Sequence, residues 1–476
     1  MTENNNDQFH WSGFDVLNVA AEDIETQLEF EIDTLEIEFN NSFVPTGMVV
    51  KQEKRKWQVS SAMQKSIRRG DGETAVQMAE GLSTLDPEYC WRRLPVIAME
   101  DIGLADPMLV GAVLWISGKK AKRLQMFGSD LQALHVIVKA MAFSVKDRSV
   151  CDLTCWVMYQ PEWQEKRDAA FASGVLGREA LFPIPSAFIA DRMLAAWGMA
   201  GTQRMPGDNL PEKVPGDFKA VLELCETMGI PPLIRWIMHA GYQKIGDGMP
   251  LAYPLIWEMV IKSYAIHKPT WRADVMTTLP KIGYYPSEAF DWHTSLGKRA
   301  FSYFNAISLP MQQFLSIDCK IDPMDKKDRI KPTATLDFYV EGSLLDKRLE
   351  FEGSHDIREL TELAVNRAYL VPGELNDWAM EMFRGNLDTL HYARLKVLDA
   401  VPPGVSVKLP EPFVLPKSWV PAITGTDSYN GPDYEEIMVS PLTYDDLDEC
   451  LEKHPLPEIP PVKKKKIVFT KKKPSV

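Results

Sequence analysis

Residues 60–107 run SSAMQKSIRRGDGETAVQMAEGLSTLDPEYCWRRLPVIAMEDIGLADP, and their reading decides the fold. Apolar side chains recur there at three- and four-residue spacing, in Ala75, Met78, Ala79 and Leu82 and again in Leu94, Ile97 and Ala98. That period lays one face of an α-helix on a core. Gly70-Asp71-Gly72, Asp86-Pro87 and the stretch from Gly103 to Pro107 interrupt it with residues that cap a helix or cannot continue one. The spacing therefore predicts helices of roughly 10 to 15 residues joined by short capped turns. Lys65, Arg68 and Arg69 fall at i, i+3 and i+4, which places three cations on one helical face.

Working outward, residues 109–116 and 131–144 continue the helical pattern, and it resumes over 218–228, 232–243, 254–267, 289–306, 357–369 and 374–401. Residues 336–351 read as a further helix, with 336–340 also compatible with an extended chain. Upstream, Leu28, Phe30 and Ile32 alternate with acids, and the phase shifts at Asp33-Thr34 to Leu35, Ile37 and Phe39. This predicts two short strands around a tight turn, or one bulged strand, with an acidic outer face. The fold class expected is mainly α: a helical bundle with a small N-terminal β element and a disordered basic C-terminal tail. The divisions are an acidic segment and basic linker at 1–58, a helical domain at 59–200, a Pro/Gly-rich linker at 201–216, a second helical region at 217–401, and a proline-rich extension at 402–476.

The chain of 476 residues carries 53 Lys+Arg against 66 Asp+Glu, and its net charge of −13 argues against a surface wholly given to nucleic acid. The acids are concentrated at the front, where residues 1–50 hold eleven acidic and no basic side chains. Lys463, Lys464, Lys465 and Lys466, with Lys471 to Lys473, form a cluster near the end that would hold phosphate backbone in a salt-dependent way, or simply aid solubility. The acidic front would act as a lid over the basic segment Lys51, Lys54, Arg55 and Lys56, as a docking strip for a basic partner, or as a plain soluble hairpin. No apolar run reaches the length of a bilayer span and the N-terminus lacks a signal-peptide pattern, so the expected location is the cytoplasm, or a host's cytoplasm for a viral protein. Six scattered cysteines predict reduced thiols.

Complete catalytic motifs are absent from the sequence. Gly118-Lys119 and Gly297-Lys298-Arg299 lack the preceding glycine a phosphate-binding loop requires, and no Gly-x-Ser-x-Gly elbow occurs. Cys151 and Cys155 have metal-like spacing without a second pair, so two buried helical thiols are the simpler reading. A helical metal-dependent phosphohydrolase would use His293, His355-Asp356 and Asp377 or Asp388. The simpler reading of His355-Asp356 is a helix start with Ser354 or Asp356 as its cap or first-turn acid.

The window from Ser60 to Pro107 resembles the C-terminal oligomerisation region of the RarA/MgsA-type (WRN-interacting-protein-like) AAA+ ATPases, a helical domain related to the collar of clamp loaders. The resemblance rests on a Ser-Ala-x-x-Lys-Ser-x-Arg helix (Ser61 to Arg68), the Asp86-Pro87-Glu88-Tyr89 turn, the Arg92-Arg93-Leu94 helix and the loop Glu100-Asp101-Ile102-Gly103-Leu104-Ala105-Asp106-Pro107. No Walker motif precedes it, so it implies a collar-like scaffold set in DNA replication, repair and recombination, without ATP hydrolysis or a cofactor. Asp291-Trp292-His293-Thr294 with Gly297-Lys298-Arg299 is similar to a motif of phage proteins that share this segment, which implies a bacteriophage source.

The function expected is a non-enzymatic accessory protein that self-associates and contacts DNA, without sequence specificity, or a replication ATPase, clamp or single-strand-binding protein. The cations placed on DNA are Lys54, Arg55, Lys56, Lys65, Arg68, Arg69, Lys119, Lys120 and the Lys463–Lys466 cluster, with Trp57 stacking on a base. Lys119 to Arg123 would otherwise answer a helix C-terminal dipole. Arg92 and Arg93 would pair with Glu100 and Asp101, and Asp106-Pro107 would cap the next helix. The alternatives are the phosphohydrolase and an interaction protein whose acidic front mimics DNA.

Overall fold

The computed structural model describes residues 11–39, 44–48, 50, 55–172, 181–185, 187–201, 216–246, 248–276, 279–321, 328–371 and 377–398. Of these, 74% are helical and 3% lie in strands, the mainly α class expected. In chain order the helices are α1 (Gly13–Leu17), α2 (Ile24–Phe39), α3 (Lys56–Arg68), α4 (Gly72–Leu85), α5 (Pro87–Ile97), α6 (Pro107–Ser117), α7 (Lys120–Phe127), α8 (Asp130–Phe143), α9 (Ser149–Tyr159) and α10 (Gln164–Ala172). They continue as α11 (Ile189–Ala200), α12 (Phe218–Thr227), α13 (Pro232–Ile245), α14 (Tyr253–Ile266), α15 (Ser295–Ile307), α16 (Leu309–Gln313), α17 (Ile330–Asp337), α18 (Ser354–Ala368), α19 (Asp377–Gly385) and α20 (Leu387–Val397).

The turns form by local capping. Asp71 accepts from the Thr74 amide, Asp86 from Tyr89 and Asp106 from Leu109, each satisfying a first-turn N–H that lacks a helical partner. Pro87 and Pro107 sit in first turns, where the missing N–H costs nothing. α5 runs on into a π-helical turn at Ala98–Ile102, and α17 into another at Phe338–Gly342. Gly103 follows at φ +55, with Asp147 O 2.3 Å from where a Cβ would stand, so only glycine fits without displacement. Two small antiparallel pairs complete the described fold: β1 (Thr270–Arg272) with β4 (Arg348–Glu350), Trp271 opposite Leu349, and β2 (Lys281–Ile282) with β3 (Tyr285–Pro286).

One apolar core draws on Leu28, Ile67, Leu94, Val113, Ile137, Trp197, Ile234 and Leu255, so it joins residues from both sides of 201–216. A second cluster, with Phe301, Phe304, Phe314, Leu336, Phe383 and Leu390, lies among α15, α16, α17, α19 and α20. Cys90, Cys151, Cys155, Cys225 and Cys319 are free thiols. No helix among the described residues is long and apolar enough to cross a membrane.

The helix expected over 289–306 begins at Ser295, that expected over 374–401 is divided at Asn386 into α19 and α20, and two larger expectations need correction. The acidic N-terminal segment is the helix α2, not a β element. Its inward residues Ile24, Leu28, Ile32 and Leu35 step by four, four and three, a helical stripe. The apparent alternation came from Phe30 and Ile37, which are exposed. Residues 336–351 also divide: the helical course ends with the π-turn at Gly342 and the chain then enters β4. Residues 51–54 and 399–476, including Lys54 and the Lys463–Lys466 cluster, lie outside the described residues.

Candidate binding site

α3 contributes the cationic face predicted from its spacing, but that face turns inward. Lys65 and Arg68 are 6% and 3% exposed. The Lys65 ammonium lies 2.5 Å from Asp291 and also donates to Glu288 O. Arg68 Nε donates to Asp101 Oδ1 at 2.8 Å, and its two terminal nitrogens reach Glu100 Oε1 at 3.4 Å and the Gly342 carbonyl. Arg69 pairs with Glu288 at 3.7 Å and donates to Glu341 O. Segments more than two hundred residues further along the chain therefore cover the strip expected to track phosphate.

Asp101 is fully buried, and Arg148 reaches it from the start of α9 while Gln64 donates at 3.0 Å. Burial alone would raise the Asp101 carboxyl, but the Arg68 and Arg148 guanidinia outweigh it and hold the group below the usual carboxylate range. Arg92 and Arg93 were the partners expected for Glu100 and Asp101; the structure assigns that role to Arg68 and Arg148 instead. The carboxylates lie on the π-turn beyond α5, about a further 10 Å along the axis from Arg93, and face the crossing helix α3. Arg148 escaped sequence reading, its one signal being the charged run Lys146-Asp147-Arg148 before an apolar helix.

These groups form one wall of a cavity of about 500 Å³, within the ~300–1,000 Å³ typical of small-ligand sites. Gln64, Lys65 and Arg68 come from α3, Arg93 and Val96 from α5, and Cys151, Asp152, Cys155 and Tyr159 from α9. Asp291, Trp292 and His293 enter from the segment before α15, and Asp337, Phe338, Thr361, Val365 and Tyr369 from α17, its π-turn and α18. The two segments singled out in the sequence, 60–107 and 291–299, thus meet on the same cavity. Thr294 caps α15 by accepting from the Gly297 amide at 3.0 Å, and a Cβ on Gly297 would stand 2.0 Å from Asp291 O. That close approach sets Trp292 and His293 at the cavity wall.

The charges lining it are not equally satisfied. Lys65 has Asp291, and Arg68 and Arg148 share Asp101 and Glu100. Arg93 makes one side-chain hydrogen bond, to Gln64 Oε1; its buried Nε has no acceptor, and no described carboxylate lies within salt-bridge distance. The His293 ring makes no hydrogen bond within the described residues, and the residue lines the cavity while remaining exposed. Desolvation beside the cavity wall lowers its pKa against the pull of Asp291. Burial raises Asp152, and Cys151 is pushed up by its hydrogen-bonded neighbour Cys155, Sγ to Sγ 3.9 Å, and by burial. Trp292, Tyr369 and Tyr159 form an aromatic wall, with Lys298 over the Trp292 ring at 4.7 Å.

The remaining predicted site residues sit elsewhere. Lys56 pairs with Asp86 at 2.7 Å and lies over Tyr89. Lys119 pairs with Glu25 at 2.9 Å and Lys122 with Glu29 at 2.5 Å, so α2 covers this second basic cluster. Arg123 donates to Ile116 O and Ser117 O at the end of α6. Arg55 is half-buried and Lys120 and Arg92 are exposed. Asp106 caps α6 and accepts from the Ser12 hydroxyl at 2.7 Å.

The phosphohydrolase trio is not assembled. His355, Asp356 and Glu359 group on the exposed first turns of α18 with ligand atoms within 4.8 Å of one another, while His293 lines the cavity and is no part of that group. Asp356 is the first-turn acid the sequence suggested. Asp377 begins α19 and Asp388 lies in the first turn of α20. Against known proteins, no family model, no curated protein and no solved structure matches this chain.

Proposed function

We propose that this protein is a collar-like helical accessory protein of nucleic-acid metabolism that binds, without transforming, a nucleotide-sized anion in the cavity beside α3. The observation that carries the reading is Arg93, a guanidinium on the cavity wall with no carboxylate partner among the described residues. Arg93 is half-buried with its Nε enclosed; a partly desolvated cation without a counter-charge is costly, and an anionic ligand supplies what is missing. His293 offers a second donor once protonated, and Trp292 and Tyr369 offer apolar surface to a planar group. Binding rather than turnover fits a lining in which the Cys151 thiol is pushed up, away from the reactive thiolate. The resemblance of residues 60–107 to a clamp-loader collar supports the nucleic-acid setting and self-association.

The test is thermal unfolding of the full chain with inorganic phosphate, AMP or dAMP. At a hundredfold excess over Kd, a ligand bound only by the folded state adds about 2.7 kcal/mol. The expected result is a rise in Tm with either nucleotide, smaller with phosphate alone and absent in Arg93→Met. No rise with any of them, or one that survives Arg93→Met, overturns the reading. Light scattering with a single-stranded oligonucleotide at about 50 and 200 mM salt tests assembly and DNA contact separately: an oligomer with salt-sensitive co-elution supports both. A monomer indifferent to DNA leaves neither.

A further inference from the structure

Helix α2 has a second face that the fold does not use. While Ile24, Leu28, Ile32 and Leu35 pack inward, Phe30 and Ile37 on the outside are 67% and 76% exposed. Their separation of seven residues is two helical turns, so they share one face with exposed Asp33 and Thr34 between them. From Glu22 to Glu38 there are eight acidic and no basic residues. Lys119 and Lys122 answer Glu25 and Glu29, but Glu22, Asp23, Asp33 and Glu38 have no basic partner among the described residues. Two large apolar side chains framed by uncompensated acids form a surface for a segment that is both apolar and cationic.

The chain contains such a segment. Residues 463–473 hold seven lysines and no acid, and Ile467, Val468 and Phe469 stand between the two lysine runs. The order, cations around an apolar centre, mirrors acids around Phe30 and Ile37. The 64 residues from 399 to 462 separate this segment from Leu398, and a random coil of that length spans on the order of 40–50 Å. Tethering at such range gives effective concentrations approaching the millimolar. We propose that residues 463–473 dock on the outer face of α2 in the same molecule. The contact holds the lysine cluster on the chain's own acids, and a nucleic acid or other polyanion must displace α2 to engage it.

The test uses the full chain, zero-length carbodiimide cross-linking of lysines to carboxylates, and peptide mass spectrometry on an equal mixture of unlabelled and 15N-labelled protein. Expected are links from Lys463–Lys466 and Lys471–Lys473 to acids of residues 22–38, formed within single chains and lost on raising salt from about 50 to 500 mM. The double variant Phe30→Ser/Ile37→Ser leaves every carboxylate in place, and its exposed positions leave the fold intact by circular dichroism. Link yield should fall at least about tenfold, the effect of losing the apolar contact that the two anchors supply. Tail lysines linked elsewhere on the surface, links mainly between labelled and unlabelled chains, or an unchanged yield in the double variant would each overturn the proposal.

Discussion

Arg68 and Arg93 both line the cavity and both belong to the collar-like window, yet replacing each by methionine should have opposite consequences. Arg68 is 3% exposed and satisfies Asp101, itself fully buried, along with Glu100 and the Gly342 carbonyl. Arg68→Met keeps the side chain's length but leaves Asp101 with only Arg148 and Gln64. Breaking a buried ion pair from one side costs about 3–5 kcal/mol. Arg93→Met removes one hydrogen bond, to Gln64, and with it a guanidinium that has no described carboxylate partner. The lost bond is worth about 0.5–1.5 kcal/mol and is partly offset by relief of that uncompensated charge. In thermal unfolding followed by tryptophan fluorescence at pH 7.5, Arg68→Met should lower Tm by on the order of 5–15 °C and Arg93→Met by no more than about 3 °C. Nucleotide-induced stabilisation should vanish in the Arg93 variant. Equal losses, or the larger loss at Arg93, would refute the division into a structural and a ligand-facing arginine.

Other measurements probe individual groups. Burial, aided by Asp106, Asp15 and Glu38, raises Glu31 from 4.5 to about 7. The folded state therefore holds this proton more tightly than the unfolded chain, and stability falls as pH rises from about 4.5 through 7. Glu31→Gln should exceed the parent in stability at pH 8, by at most about 3 kcal/mol, and match it near pH 4, as urea titrations at the two pH values would show. Gly103→Ala must accept φ +55 with its Cβ against Asp147 O, and a loss of about 1–3 kcal/mol is expected in the same titrations. Because desolvation lowers the His293 pKa from its ordinary value, affinity for sulfate, whose own charge does not change, should rise about tenfold as pH falls from 7.5 through the range in which the ring protonates beside the anion. Calorimetric titration of His293→Gln should show no such slope; an identical slope would remove His293 from the site.

Legibility in the sequence followed the range of the interactions involved. The caps at Asp71, Asp86 and Asp106 and the first-turn prolines were readable because each acts within three residues of itself. α2 was misread because its exposed Phe30 and Ile37 imitate alternation, and the stripe that distinguishes helix from strand appears only when Ile24 is counted with Leu28, Ile32 and Leu35. Residues 291–299 and 60–107 stood out separately, but nothing local indicated that they share a cavity.

The amino-acid sequence by itself determined the helical class, the capped turns of residues 60–107 and the grouping of Lys65, Arg68 and Arg69 on one face, since these depend on neighbours within about one turn. Only the tertiary structure decided that this face turns inward, that Arg68 and Arg148 rather than Arg92 and Arg93 hold Asp101, and that Arg93 lines a cavity with His293 and has no carboxylate partner among the described residues. A charged side chain reads the same on a solvated face as in a buried pair. The choice depends on which distant segment packs over it, and for Arg68 one of those segments lies 274 residues away.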